Sequence, residues 1–341
     1  INNHYEGTIT VNGGSVIGIA TGRGNTIQNY TTGSIYITGG NISGSQYNVI
    51  ANSASGTVEI SGGNITGTAN TSGTFGVIYN SSGNVTISGG RIESQGSINL
   101  LFNHHTGSTI TVTGGELITN NGYVYDSNGS SGKTLIVGTN DGNVGIDSPI
   151  IRNNGSSWVW MSSTNVSFYD GVIEVKGTAN PQSLTNVAIP DGYTFVYGSK
   201  TIDSNAYKTA YLKQIATASV SISGNVRPGQ TLTATPTSTS DGTKSYQWWY
   251  ATSADATSGT AISGATSSTY TIAESLVGKY IGVTLTVAES DVYAPVSASS
   301  ITTGTVSKIS ASINYATTTV TKTYGDAAFT NTLTKTGDGA V

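Results

Sequence analysis

From Gly7 to Leu117 the chain repeats one arrangement of apolar and polar positions. Four or five alternating residues run into a pair of glycines, and a short apolar–polar stretch leaves it. Gly33-Ser-Ile-Tyr-Ile-Thr-Gly-Gly-Asn-Ile42, Gly56-Thr-Val-Glu-Ile-Ser-Gly-Gly-Asn-Ile65 and Gly83-Asn-Val-Thr-Ile-Ser-Gly-Gly-Arg-Ile92 are the clearest copies, flanked by Gly7–Val16 and Gly107–Leu117. Alternation of this kind predicts a strand with one face buried. The glycine pair predicts a sharp corner, because a residue without Cβ enters positive φ at no steric cost. A further apolar stretch in each interval, such as Tyr47-Asn-Val-Ile50 or Phe75-Gly-Val-Ile-Tyr79, predicts another strand. The pairs begin at 13, 39, 62, 89 and 114, with weaker copies starting at Asp141-Gly142 and Asp170-Gly171, so the intervals are 26, 23, 27, 25, 27 and 29.

A coil of about 26 residues cannot cover its own apolar face, so the copies must stack. Stacking predicts a parallel β-helix, and the irregular intervals favour the right-handed form. A β-propeller needs blades of roughly 40–50 residues. If the copies stack, Ile37, Ile60, Ile87 and Val112, each two residues before its glycine pair, form one inward ladder. Asn41 and Asn64, directly after their pairs, form another ladder inside or at corners.

The repeat fades after Val175. Asn180-Pro181 breaks it, and the alternating stretch from Tyr193 to Leu212 predicts a cap over the open end, with Lys200, Lys208 and Lys213 guarding the edge. From Ala218 to Val306 about seven short strands with tight turns predict a β-sandwich. There Tyr246, Trp248 and Tyr250 share a face, with Trp248 at the buried centre.

Tyr246-Gln-Trp248, Ile262-Ser-Gly-Ala265, Ser268-Thr-Tyr270 and Val277-Gly-Lys-Tyr280 resemble the bacterial immunoglobulin-like modules of large cell-surface proteins. The resemblance implies a buried strand-C tryptophan at Trp248 and a tyrosine corner at Tyr280. The acidic residue usual two positions before the corner glycine is Leu276 here. Lys322-Thr-Tyr-Gly-Asp-Ala-Ala-Phe329 resembles the opening of another such repeat, and the first 180 residues resemble the Gly-Gly-rich β-helix regions of gut-bacterial adhesin-like proteins. The chain therefore divides into a parallel β-helix (1–179), a cap and linker (180–216), an immunoglobulin-like sandwich (217–309) and the start of a second repeat (310–341).

Composition sharpens the all-β reading. Gly is 45 of 341 residues, charged residues are 9% and Cys is absent. That profile excludes helical bundles and coiled coils, and the lack of Cys removes thiolate metal sites and Cys nucleophiles. No apolar run approaches the roughly 18–20 residues of a membrane helix, so no membrane insertion is expected. A net charge of −4 without a basic patch argues against nucleic acid. An exported origin fits the composition, and the chain reads as a piece of a longer extracellular or cell-surface protein.

The same repeats bear on chemistry. Polysaccharide lyases and glycoside hydrolases also occur on β-helices, and they need clustered acids with a base or two facing carboxylates. Arg23, Arg91 and Arg152 scatter over different coil phases, and Glu59, Glu93 and Glu116 fall three before, three after and directly after their glycine pairs, so they predict no common site. Asp170 and Glu174 are the nearest thing to a carboxylate pair, and read best as a corner residue and a solvated strand position. His104 and His105 read as loop histidines pointing apart, and Asp141–Asp147 as a turn satisfying its own backbone rather than a Ca²⁺ loop. No cofactor or metal is called for. Trp158, Trp160 and Tyr169 are the candidate ligand-binding residues. Placed on one strand face, Trp158 and Trp160 form a sugar-stacking platform if that face is outside and fill the solenoid if it is inside. The sequence thus predicts a non-enzymatic adhesin-like binding protein with a glycan or a host or surface protein as partner.

Overall fold

The computed structural model describes residues 1–19, 24–70, 75–127, 132–156, 158–160, 165–182, 184–308, 311–315, 319–330 and 332–336. Arg23 and Met161 lie outside these. The chain forms two compact units, 1–213 and 214–341.

The first unit is a parallel β-solenoid of about six turns, with three strand columns. One column runs Asn2–Asn3, Ile27–Asn29, Ile50–Asn52, Gly76–Asn80, Asn99–Asn103 and Tyr125–Asp126, each parallel to the next. The second contains Thr57–Ile60, Asn84–Ile87, Thr109–Val112, Thr134–Val137 and Val166–Phe168. The third contains Asn64–Gly67, Arg91–Ser94, Glu116–Thr119, Ile150–Asn153 and Val172–Lys176. In the first two coils Thr8–Gly18 and Ser34–Gly44 run unbroken round the corner from the second column into the third.

Apolar residues stack in register because alternate positions point inward. Ile37, Ile60, Ile87 and Val112 are paired coil to coil and fully buried, as the repeat predicted. Ile42, Ile65, Ile92, Leu117, Ile151 and Ile173 form a second buried ladder on the third column. The corner between them explains both glycines. A Cβ on Gly62 would sit 2.5 Å from the Thr38 carbonyl oxygen of the coil above, and Gly63 has φ +86°.

One feature of the stack differs from the sequence reading. The repeat after Val137 does not turn at Asp141-Gly142. Gly138 (φ +84°) opens a longer connection that reaches Ile150, and Asp141 lies within it, accepting the Asn143 N–H at 2.9 Å. Of the two placements open to Asn41 and Asn64, the structure takes the corner: they meet at 3.1 Å on an exposed one. The buried ladder consists of Asn3, Asn29, Asn52, Asn80 and Asn103. Each Nδ2 donates to the next Oδ1, at 3.2, 3.3, 3.1 and 3.1 Å. The first four also bond the carbonyl of Gly7, Gly33, Gly56 or Gly83. Gly33, Gly56 and Gly83 leave no room for a side chain: a Cβ on Gly56 would lie 2.0 Å from Asn29 Nδ2.

Past Val172–Lys176 the parallel sheet ends. Asn205–Gln214 pairs antiparallel with that strand, and Tyr193–Ile202 lies outside it. Lys213, read from sequence as an edge guard, is buried, and Lys200 bonds inward to Glu174 at 2.9 Å.

Between 214 and 308 the second unit has two antiparallel sheets. Ala218–Ser223, Thr231–Ser238 and Thr269–Thr271 form one, and Thr260–Ala261, Lys244–Ala251, Tyr280–Val287 and Val296–Ile301 the other. Leu232, Trp248, Ile272, Ile281, Val283 and Leu285 belong to one buried cluster that draws on both. Trp248 is fully buried and its indole N–H donates to the Ser267 carbonyl at 2.8 Å. Trp249 is buried as well. It packs on Gly282, where any Cβ would lie 2.3 Å from the ring. The turn before Tyr280 is held by the Gly278 N–H on the Val306 carbonyl at 2.9 Å, with Gly278 at φ +81°. Ser312–Tyr315 and Leu333–Thr336 form a separate antiparallel pair.

Candidate functional site

Trp158 and Trp160 do not share a face. Among the described residues Trp158 bridges Gln182 and Trp160 bridges Tyr125, both parallel. Trp158 is 52% exposed; Trp160 is fully buried, packed in the solenoid core with Val159 and Tyr125. The two-ring platform on 158 and 160 is therefore corrected: one indole fills the interior and the other meets solvent. Tyr169 is half-buried, its N–H on the Val137 carbonyl at 2.7 Å.

Beside Trp158 lies a groove that the sequence did not reveal. Its volume is about 600 Å³, and it runs over the irregular segment between the last coil and the capping hairpin. Leu184, Val187 and Phe195 form an apolar base, with the Phe195 ring 5.5 Å from Phe168. Asn180, Gln182, Thr185, Thr194 and Tyr197 supply amides and hydroxyls, and none of the described lining residues is charged. Segment 180–197 has no repeat, so its residues carried no periodic signal.

Charged residues gather elsewhere, and here the sequence reading is again corrected. Arg91 stands opposite Glu116 in the stack, and Glu93, Ile118, Arg152 and Glu174 share one register position. Arg91 and Glu116 each directly follow a glycine pair, an equivalence visible in the repeat, whereas Arg152 and Glu174 lie beyond the longer 138–149 connection, which displaces the count. Arg91 bonds Glu116 at 2.9 Å and Glu93 at 3.1 Å. Arg152 bonds Glu174 at 2.7 Å and approaches Glu116 at 3.8 Å, and Lys200 bonds Glu174 at 2.9 Å. The Glu174 side chain is wholly buried, not a solvated strand position. Three acids and three bases thus neutralise one another along the third column. Asp170 is engaged differently: it accepts the Gly145 N–H at 2.7 Å and the Thr139 N–H at 3.0 Å, anchoring the long connection. A smaller cavity of about 260 Å³ touches Glu174, Lys200, Asp147 and Tyr211.

The two histidines do not point apart. Their rings meet edge-on at 4.2 Å, and His104 also lies 5.7 Å from Tyr79 and 6.2 Å from Phe102, extending an aromatic column. Its Nδ1 is buried without a hydrogen-bond partner. Burial, then the neighbouring His105 and Lys133, hold the imidazole below its usual pKa of 6.5. Nearby, burial pushes the Tyr125 hydroxyl up to about 12, against the Asn103 amide that donates to it at 3.3 Å.

No family model matches the chain, and no curated protein or solved structure is significantly similar to it. Among the described residues no group of three or more His, Asp or Glu is placed to hold a metal ion, and no helix is long and apolar enough to cross a membrane.

Proposed function

We propose that the chain is a non-enzymatic bacterial surface or secreted protein of adhesin type. In this reading a right-handed β-helix presents a binding surface, and the second unit is an immunoglobulin-like sandwich serving as a stalk. Its setting is extracellular or at the cell surface.

The charged ribbon on the third column carries the reading. Its carboxylates, Glu93, Glu116 and Glu174, are all engaged by Arg91, Arg152 and Lys200. A general acid must hold a proton that it can give up, and a nucleophile needs an open approach. The Glu174 carboxylate is wholly buried between a guanidinium and an ammonium, so both its oxygens are engaged and no substrate has an open approach to it. A solenoid that spends its charges on holding coils together leaves a largely neutral exterior of amides and hydroxyls, which suits display and contact.

The test is adhesion against turnover. The purified chain should bind immobilised glycans or host surface proteins in a plate assay. It should release no reducing ends or unsaturated products from pectins, glucans or host glycans. Product release abolished by Glu174→Gln or Asp170→Asn would replace this reading with a polysaccharide lyase or glycoside hydrolase on the same scaffold.

A further inference from the structure

The geometry points to the groove over 180–197 as a binding site for a neutral oligosaccharide, an inference that rests on the reading of the chain as a binding protein. Four observations converge. The groove's volume, about 600 Å³, lies within the roughly 300–1,000 Å³ of small-molecule sites. Its lining pairs an apolar base with a polar rim, which is what a sugar ring presents: C–H faces on one side and hydroxyls round the edge. Asn180 and Gln182 each carry a donor and an acceptor on one group, and Thr185, Thr194 and Tyr197 carry hydroxyls that can serve either way. Sugar hydroxyls likewise donate and accept, so this set matches them better than it matches a fatty chain or an apolar peptide.

The absence of charge among the described lining residues decides the subclass. Uronic acids, sialic acids and sulfated sugars would enter without a cation to receive them, losing hydration without a charge-assisted bond. A neutral chain loses nothing of that kind. Aromatic surface is available at two places. Tyr197 lines the groove and is 46% exposed, and Trp158 pairs through a backbone bridge with Gln182 on the rim. Flat rings at two points favour a ligand of at least two sugar residues over a monosaccharide. Affinity should be weak, since no ionised side chain takes part.

Tryptophan fluorescence provides a local reporter. Of the four Trp residues, Trp160, Trp248 and Trp249 are buried, so acrylamide quenching of the intact chain reads Trp158. The probes are hexasaccharides of neutral glucose, xylose and mannose, with oligogalacturonate and a heparin hexasaccharide as the anionic arm. At least one neutral probe should protect Trp158 from acrylamide and give a saturable titration, while the anionic arm does not. Tyr197→Ala should weaken that binding by about tenfold or more, as loss of an aromatic anchor does. Thr185→Arg, which fills the groove from an exposed position, should abolish it. Tyr5→Ala, exposed in the first coil, should leave it unchanged.

Binding undiminished in Tyr197→Ala and Thr185→Arg would overturn the groove while leaving the adhesin reading intact. So would binding confined to the anionic arm, or adhesion to a protein-coated surface with no oligosaccharide bound. Shortened probe sugars in the titration mixture would instead overturn the adhesin reading itself.

Discussion

At residue 52 one buried amide closes three contacts. Its Nδ2 donates to the Gly56 carbonyl and to Asn80 Oδ1, and its Oδ1 accepts from Asn29 Nδ2. Asn52→Ala leaves those partners buried and unmet, and should cost roughly 2–4 kcal/mol in a urea midpoint series. Asn64→Ala, on the exposed ladder, should stay within about 0.5 kcal/mol. Equal losses would show that burial is not what gives the ladder its weight. His104 provides a pH signature. Its folded pKa is lowered, so between 6.5 and that lower value the unfolded chain binds a proton that the folded chain does not. Stability should therefore fall as pH drops through 6.5 and level off below the folded value. His104→Phe should flatten the melting temperature between pH 7 and 5, whereas an unchanged slope would assign the effect to other groups. Asn3, Asn29 and Asn52 stood in plain sight four residues before Gly7, Gly33 and Gly56, but asparagine in a Gly/Ser/Thr-rich chain reads as turn. Only the coil-to-coil register reveals that these amides face inward.

Among the elements, the aliphatic ladders were legible and the charged ribbon was not. Ile60 alternates with polar neighbours at a fixed distance from two glycines, so its inward direction follows from strand geometry alone. Ile60→Ala should cost roughly 2–5 kcal/mol, read from the denaturation midpoint. Arg152 and Glu174 sit after a connection whose length departs from the repeat, so counting from glycines assigned them the wrong neighbours. Their pairing also attaches the hairpin to the last coil, since Lys200 on the outer strand reaches the same carboxylate. Glu174→Gln leaves Arg152, only 12% exposed, without its main counter-charge, and should cost about 3–5 kcal/mol. Hydrogen exchange in 193–202 should accelerate with it. If exchange there is unaltered, backbone pairing between Val172–Lys176 and Asn205–Gln214 holds the hairpin without the ion pair.

Over the whole molecule, each unit has its own buried cluster, one centred on the solenoid ladders and the other on Trp248. Residues 214–308 expressed alone should unfold in a single cooperative transition followed by tryptophan emission, with a red shift as Trp248 and Trp249 meet water. A gradual, non-sigmoidal change would mean that this cluster does not suffice. The glycine-pair repeat lies wholly within the first unit, 1–213, and the Trp248-Trp249 strand within the second. The groove over 180–197 was not legible in the sequence, since a surface concavity arises from how irregular backbone crosses the end of a stack. The asparagine column has one more property. Every amide from Asn3 to Asn80 donates towards the later coil, and every one from Asn29 to Asn103 accepts from the earlier one. Its dipoles therefore add, and a stack that looks the same from coil to coil has a sense of direction: its two ends are electrically unlike, and a coil laid on in reverse would meet acceptor with acceptor.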